Sequence, residues 1–235
     1  MDEVVEAKVE EEKFSTFQLI LIGLIVLLFA FNQYQLYKIP SGAIGRIVLS
    51  GDPMKDAIAI VIPTGTPKVY GNELGVSFDV PIESIEVLST LDPAYGSKKI
   101  QLSGAELQRY IKIGTIPTIA CEFCCGAKTL VTSAGKPTCG CEHSWAMRGL
   151  LAYLIQDHPE MSDDEIIVEL ARWKGLFFPK DMVNRFLQET QSGKYTADIA
   201  ALLSVVDKDK LNLEALDTLS APSNLQNLPQ MVGGC

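Results

Sequence analysis

The sequence predicts an α+β protein built from four parts. These are an N-terminal single transmembrane helix, a small β-rich domain, a Cys/His hairpin with zinc-ribbon-like knuckles, and a C-terminal helical bundle. Three observations carry that prediction. An uncharged apolar run begins at Phe17, residues 38–118 are rich in β-branched residues and turn formers, and beyond residue 143 the apolar positions fall at helical spacing. The composition, 47% hydrophobic and 21% charged, excludes wholesale disorder. The net charge of −9 argues against nucleic-acid binding, which needs cationic surface to displace the counterions of phosphate.

Residues 1–16 form an acidic tail. Phe17 to Phe31 reads FQLILIGLIVLLFAF, and the stretch to Tyr37 adds no charge. At about 1.5 Å per residue, roughly 20 residues cross a hydrocarbon core of about 30 Å. Residues 17–37 therefore predict a single-pass anchor in the lipid bilayer, with Tyr34 and Tyr37 in one interface. The following NQYQLYKIPSG has no A-x-A-like site, so the anchor is read as uncleaved. Lys8 and Lys13 precede the span, and Lys38 and Arg46 follow it, which nearly balances the charge rule for orientation. A short tail before an anchor places the long C-terminal part outside the cytoplasm, so an extracytoplasmic domain is expected.

The predicted β-rich domain covers 38–118. AIAIVIP (57–63) reads as a short buried strand, and VSFDV and SIEVLS alternate as strands do. Pro63, Gly65, Pro67, Gly71 and Gly75 mark the turns between them. Ser103 is placed to cap a helix over AELQRYIKI, with Glu106 completing a capping box.

Five of the six cysteines fall between Cys121 and Cys141. Residues 119–143 are read as a metal hairpin, in which KTLVT and the turn Ser133–Lys136 fold Cys121, Cys124 and Cys125 back against Cys139, Cys141 and His143. Two thiol-bearing knuckles at the base of a hairpin form the arrangement that tetrahedral metal sites use. Thiolates of this kind suit zinc first, and Cu(I) or an iron–sulfur cluster as alternatives. Met147 shares the helical face of His143, and a thioether there would favour copper. Cys235, after two glycines, is a candidate further ligand. The same cysteines also permit paired disulfides, and the sequence does not choose between metal and disulfide.

The helical bundle is predicted over 144–210. Ser162 and Glu165 form a capping box for DDEIIVELARWKG, with Gly175 as the expected stop. Pro179 opens a third helix that ends near Ser192–Gly193, and Thr196 begins a fourth. Residues 211–235 read as an extended tail. Trp145 and Trp173 are expected to pack the helices together.

The C-x2-C at Cys121 and Cys124, followed by an amphipathic helix and the S-D-D-E-I-I segment from Ser162, resembles the membrane-anchored thiol oxidoreductases of cytochrome c maturation. The likeness covers about a quarter of the chain. It implies an envelope location, a small helical bundle, and a two-cysteine site that exchanges thiols and disulfides with a protein partner. No P-loop, G-x-S-x-G or G-x-G-x-x-G pattern occurs. The residues themselves point to a metal-binding domain, for metal handling or for structural support of an interaction surface. A thiol–disulfide oxidoreductase and a disulfide-stapled envelope protein are the alternatives.

Overall fold

The computed structural model describes residues 18, 21–28, 49–207, 211, 225 and 227–234. The chain divides into two units, 1–41 and 42–235. In the first unit, residues 18 and 21–28 are helical, and Leu21 to Leu28 are exposed.

Among the described residues no helix is long and apolar enough to cross a membrane. This overturns the predicted anchor and the extracytoplasmic placement derived from it. The remainder of 17–37 lies outside the described residues.

The second unit is helical. In chain order its helices are α1 (Pro53–Val61), α2 (Gly71–Leu74), α3 (Pro81–Thr90), α4 (Gly104–Gly114), α5 (Glu122–Cys125), α6 (Glu142–Asp157), α7 (Asp163–Phe177), α8 (Pro179–Ser192) and α9 (Ala197–Ser204). Among the described residues the only β pairing is an isolated bridge between Val131 and Pro137. The α+β prediction is therefore wrong, and the β-rich domain of 38–118 is not found in residues 49–118.

The physical reason lies at the starts of α1 and α3. Asp52 caps α1 by accepting from the N–H groups of Met54 and Lys55, both at 3.1 Å, and Pro53 occupies the first turn. The buried set Met54, Ala57, Ile60 and Val61 keeps the helical period within the apparent strand AIAIVI. Pro81 likewise opens α3, which absorbs SIEVLS. Pairwise β propensity lost to caps and to burial of one helical face.

Helix α6 is central. It packs against α3, α4 and α7; α7 in turn packs against α9, and α1 against α8. Gly149 on α6 sits so close to α3 that a Cβ there would lie 2.1 Å from the Leu88 carbonyl. Gly175 is not the predicted stop, because α7 runs on to Phe177; a Cβ at Gly175 would lie 2.0 Å from the Val61 carbonyl, so it serves close approach of α1. The other helix-end expectations hold. Ser162 and Glu165 form the capping box, Pro179 opens α8, Gly193 ends it in the left-handed region, and Thr196 precedes α9. Ser103 precedes α4 as expected but makes no side-chain capping bond. Trp173, Phe177, Phe178, Phe186, Leu150 and Leu154 fill the core.

The tail returns to this body. The Val232 N–H donates to the Phe177 carbonyl at 2.8 Å, and the Lys180 N–H to the Pro229 carbonyl at 3.3 Å.

Candidate metal centre

Residues 115–141 cross between α4 and α6 with one four-residue helix and one bridge for regular structure. Their path is fixed by a few bonds and by buried apolar anchors. Leu130 and Val131 are fully buried, and both donate to the Gly114 carbonyl, at 2.8 and 3.1 Å. The Thr118 N–H donates to the Lys128 carbonyl at 2.8 Å. The Thr132 N–H donates to the Lys136 carbonyl at 2.8 Å, so the predicted turn closes the loop as a minimal hairpin.

Four sulfurs converge at the base of this loop. Those of Cys121, Cys125, Cys139 and Cys141 all lie within 4.8 Å of one another. Cys121 precedes α5 and Cys125 ends it, so one helical turn brings the two thiols to the same side. Gly126, at φ 74°, then turns the chain away in a conformation that a side chain would strain. Cys139 and Cys141 flank Gly140, and Cys141 is the N-cap of α6. Cys121 is buried, Cys139 and Cys141 are half-buried, and Cys125 is exposed.

Four sulfurs about 2.3 Å from one ion stand about 3.8 Å apart at the corners of a tetrahedron. The Cys121 and Cys141 sulfurs are 3.5 Å apart. The four thiols therefore form a group that could hold a metal ion.

The electrostatics of the group are uneven. The hydrogen bond from the Cys121 thiol brings Cys141 down to about 4, against the cost of burial, and the His143 side chain and the Ser144 N–H help. Sharing that proton, together with burial, pushes Cys121 well above the usual thiol range. Burial foremost, with Cys125 beside it, raises Cys139 to about 12. Cys141 stands at the start of α6, where the helix dipole favours an anion, and the shift there runs opposite to that of Cys121 and Cys139.

The remaining predicted ligands are placed differently. Cys124 is disulfide-bonded, so its sulfur is already committed. It lines a cleft of about 440 Å³ with Phe123, Phe178, Asp181, Gln230 and Met231. His143 is fully buried beside the group but is not one of the four mutually close ligands. Met147 is a core residue, 1% exposed. Cys235 lies outside the described residues.

Two buried cations support the group, and neither was apparent from sequence. Arg148, fully buried nearly two turns into α6, donates to the Cys139 carbonyl at 2.9 Å and to Ser144 Oγ at 2.6 Å. It also makes a two-point pair with the equally buried Asp92, at 3.1 and 2.7 Å. Lys174, also fully buried, bridges Asp198 at 2.6 Å and Glu122 at 3.0 Å, and donates to the Thr118 carbonyl. It thus grips the chain on both sides of Cys121. Thr118 itself is held at φ 71°, a sparsely populated conformation for a β-branched residue. Arg148 secures the second knuckle and Lys174 the first. Lys174 is distant in sequence from the knuckle it secures, Arg148 is paired with the distant Asp92, and no motif announces either.

Comparison with protein-family models, curated proteins and solved structures finds no match to this chain.

Proposed function

We propose that this chain is a zinc-thiolate protein that holds one Zn²⁺ through Cys121, Cys125, Cys139 and Cys141. The convergence of four thiols within 4.8 Å carries the reading. Zn²⁺ takes four thiolates in a closed tetrahedron, as structural sites do. An iron–sulfur cluster sets several iron and sulfide atoms between its thiolates, and the spacing here suits a single ion instead. Copper draws no support from Met147, which is spent on the core.

The role follows from where the ligands sit. Residues 115–141 have little regular structure, and the ion would join their two ends at the first turn of α6. Binding energy at such a site is also folding energy. The ion thus braces the surface formed by α5 and the loop 126–140, and that surface would meet a protein partner.

The test is anaerobic purification of the full chain with elemental analysis, followed by chelation. The reading expects one zinc per chain and a lower melting temperature on its removal. Protein that carries no stoichiometric metal, and takes up none when zinc is added, would refute it.

The disulfide at Cys124 favours a second reading, thiol–disulfide exchange at the cleft it lines. That reading expects the bond to open and re-form with a dithiol buffer while the four clustered thiols stay metal-bound. A Cys124 that stays oxidised throughout such a titration would eliminate it.

A further inference from the structure

We propose that Cys124 is bonded to Cys235, and that this disulfide is a reducible clasp holding the tail of the chain across the helices beside the four-thiol group. The proposal rests on the exchange reading above and deepens it, naming the second sulfur and what the bond holds in place.

The chain has six cysteines. Cys121, Cys125, Cys139 and Cys141 are free thiols, and Cys124 is disulfide-bonded. Cys235 is the one cysteine of this chain left to pair with it. The tail starts from the right place for that bond, because Gln230 and Met231 line the same cleft as Cys124. Four further residues reach position 235, a span of at most about 14 Å. A disulfide needs its two Cα atoms about 4.4–6.8 Å apart. Within that span Gly233 stands at φ 84°, where a glycine turns the chain without strain.

Residues 228–234 belong to no helix or strand, and Pro229, Gln230, Met231 and Gly234 are exposed. The Lys180 N–H donates to the Pro229 carbonyl and the Val232 N–H to the Phe177 carbonyl. Nε2 of His143 lies 2.7 Å from the Val232 carbonyl oxygen. Exposed segments without regular structure open at low cost. A covalent link to α5 keeps the end of such a segment near its docking surface when these bonds break, and so raises the fraction that is docked.

The position of the tail gives the clasp something to control. A Cβ on Gly233 would stand 2.8 Å from Ile85 Cδ1 and 3.3 Å from His143 Nε2, so the backbone lies close over the buried imidazole. The His143 side chain in turn bonds to Cys141. Tail, imidazole and one of the clustered thiols thus form a continuous line of contacts. Once the bond opens and the tail lifts, the cleft loses its Gln230 and Met231 wall and His143 is uncovered.

The step is a two-electron exchange with a dithiol. A thiolate of the dithiol attacks one sulfur of the bond and forms a mixed disulfide, while the other sulfur leaves as a thiolate and takes up a proton. The second thiol of the reductant then gives up its proton and displaces the remaining cysteine sulfur, which is protonated in turn. Cys124 and Cys235 end as thiols, and the dithiol ends as a disulfide. Two electrons and two protons have passed to the protein.

The experiment uses the full chain purified without reductant. Its free thiols are alkylated in denaturant with a chelator present, and the protein is cut into peptides for mass spectrometry. Peptides joined through Cys124 and Cys235, with the other four cysteines alkylated, are expected. Amide exchange on the folded chain then follows the tail. Dithiothreitol should open the bond and remove the protection of the Val232 N–H, while α6 and α7 stay protected. Cys235→Ser, which needs no reductant, should show the same loss. Cys124 joined to a different cysteine, or a tail whose exchange is unchanged when the bond opens, would overturn the clasp and leave the exchange reading standing. Cys124 recovered as a free thiol, or a Cys124–Cys235 bond that dithiothreitol does not open, would remove the exchange reading as well.

Discussion

Replacing Arg148 with Met should cost the protein about 3–5 kcal/mol, because it strands the Asp92 carboxylate in a site with no access to solvent. Both side chains of this pair are 0% exposed, so water cannot take over the lost interaction. Arg148 supplies two of the three hydrogen bonds given to that carboxylate; the third, from the Ala94 N–H at 3.2 Å, is too little to solvate it. Against a typical total of about 5–15 kcal/mol, the loss is large. Urea unfolding of the zinc-loaded full chain would measure it. The double variant Arg148→Met with Asp92→Leu removes both charges and should recover most of the loss, since replacing a buried ion pair by apolar groups is close to neutral. Zinc affinity should behave differently. The Cys139 carbonyl loses its Arg148 partner in both variants, so affinity should fall about 10–100-fold in each. A loss below about 1 kcal/mol for the single variant, or a double variant no more stable than the single, would refute the view that this pair holds the second knuckle on α6.

Three further outcomes follow from the same geometry. Gly149→Ala puts a methyl group 2.1 Å from the Leu88 backbone oxygen and should force α3 and α6 apart, lowering stability by about 1–3 kcal/mol in a thermal melt; an unchanged melt would show that the helices have slack. Zinc uptake near neutral pH should release at least two protons, from Cys121, which is raised, and from Cys139, raised to about 12. Zinc affinity should therefore rise with pH across the neutral range, about tenfold per proton per pH unit, and calorimetry in buffers of different ionisation enthalpy would count the protons; an affinity independent of pH would contradict the ligand set. Lys174→Met should destabilise less than Arg148→Met, because Arg185 still reaches Asp198 at 3.1 Å, but it should loosen the chain around Cys121, which faster amide exchange at 119–122 would reveal.

What the sequence made legible was local chemistry. The capping box at Ser162, the proline at 179 and the concentration of cysteines between 121 and 141 all act within a few residues, and the structure uses each of them. AIAIVI and SIEVLS resemble strands in side-chain type, but the signals that decide them, Asp52-Pro53 and Pro81, stand just upstream and start helices, so no β-rich domain forms there. Which cysteines converge was not readable either. Cys124 and Cys125 are adjacent, and only the turn of α5 decides that Cys125 joins Cys121 while Cys124 lines the cleft. The buried pairs Arg148–Asp92 and Lys174–Asp198 join residues 56 and 24 positions apart, and no short-range pattern encodes such a pairing.

The central claim is a single four-thiolate zinc centre, and the most direct test of it is metal analysis joined to X-ray absorption on the anaerobically purified full chain. The account predicts one zinc per chain surrounded by four sulfurs at about 2.3 Å. Iron with inorganic sulfide, or a chain free of metal whose clustered thiols are oxidised in pairs, would contradict it.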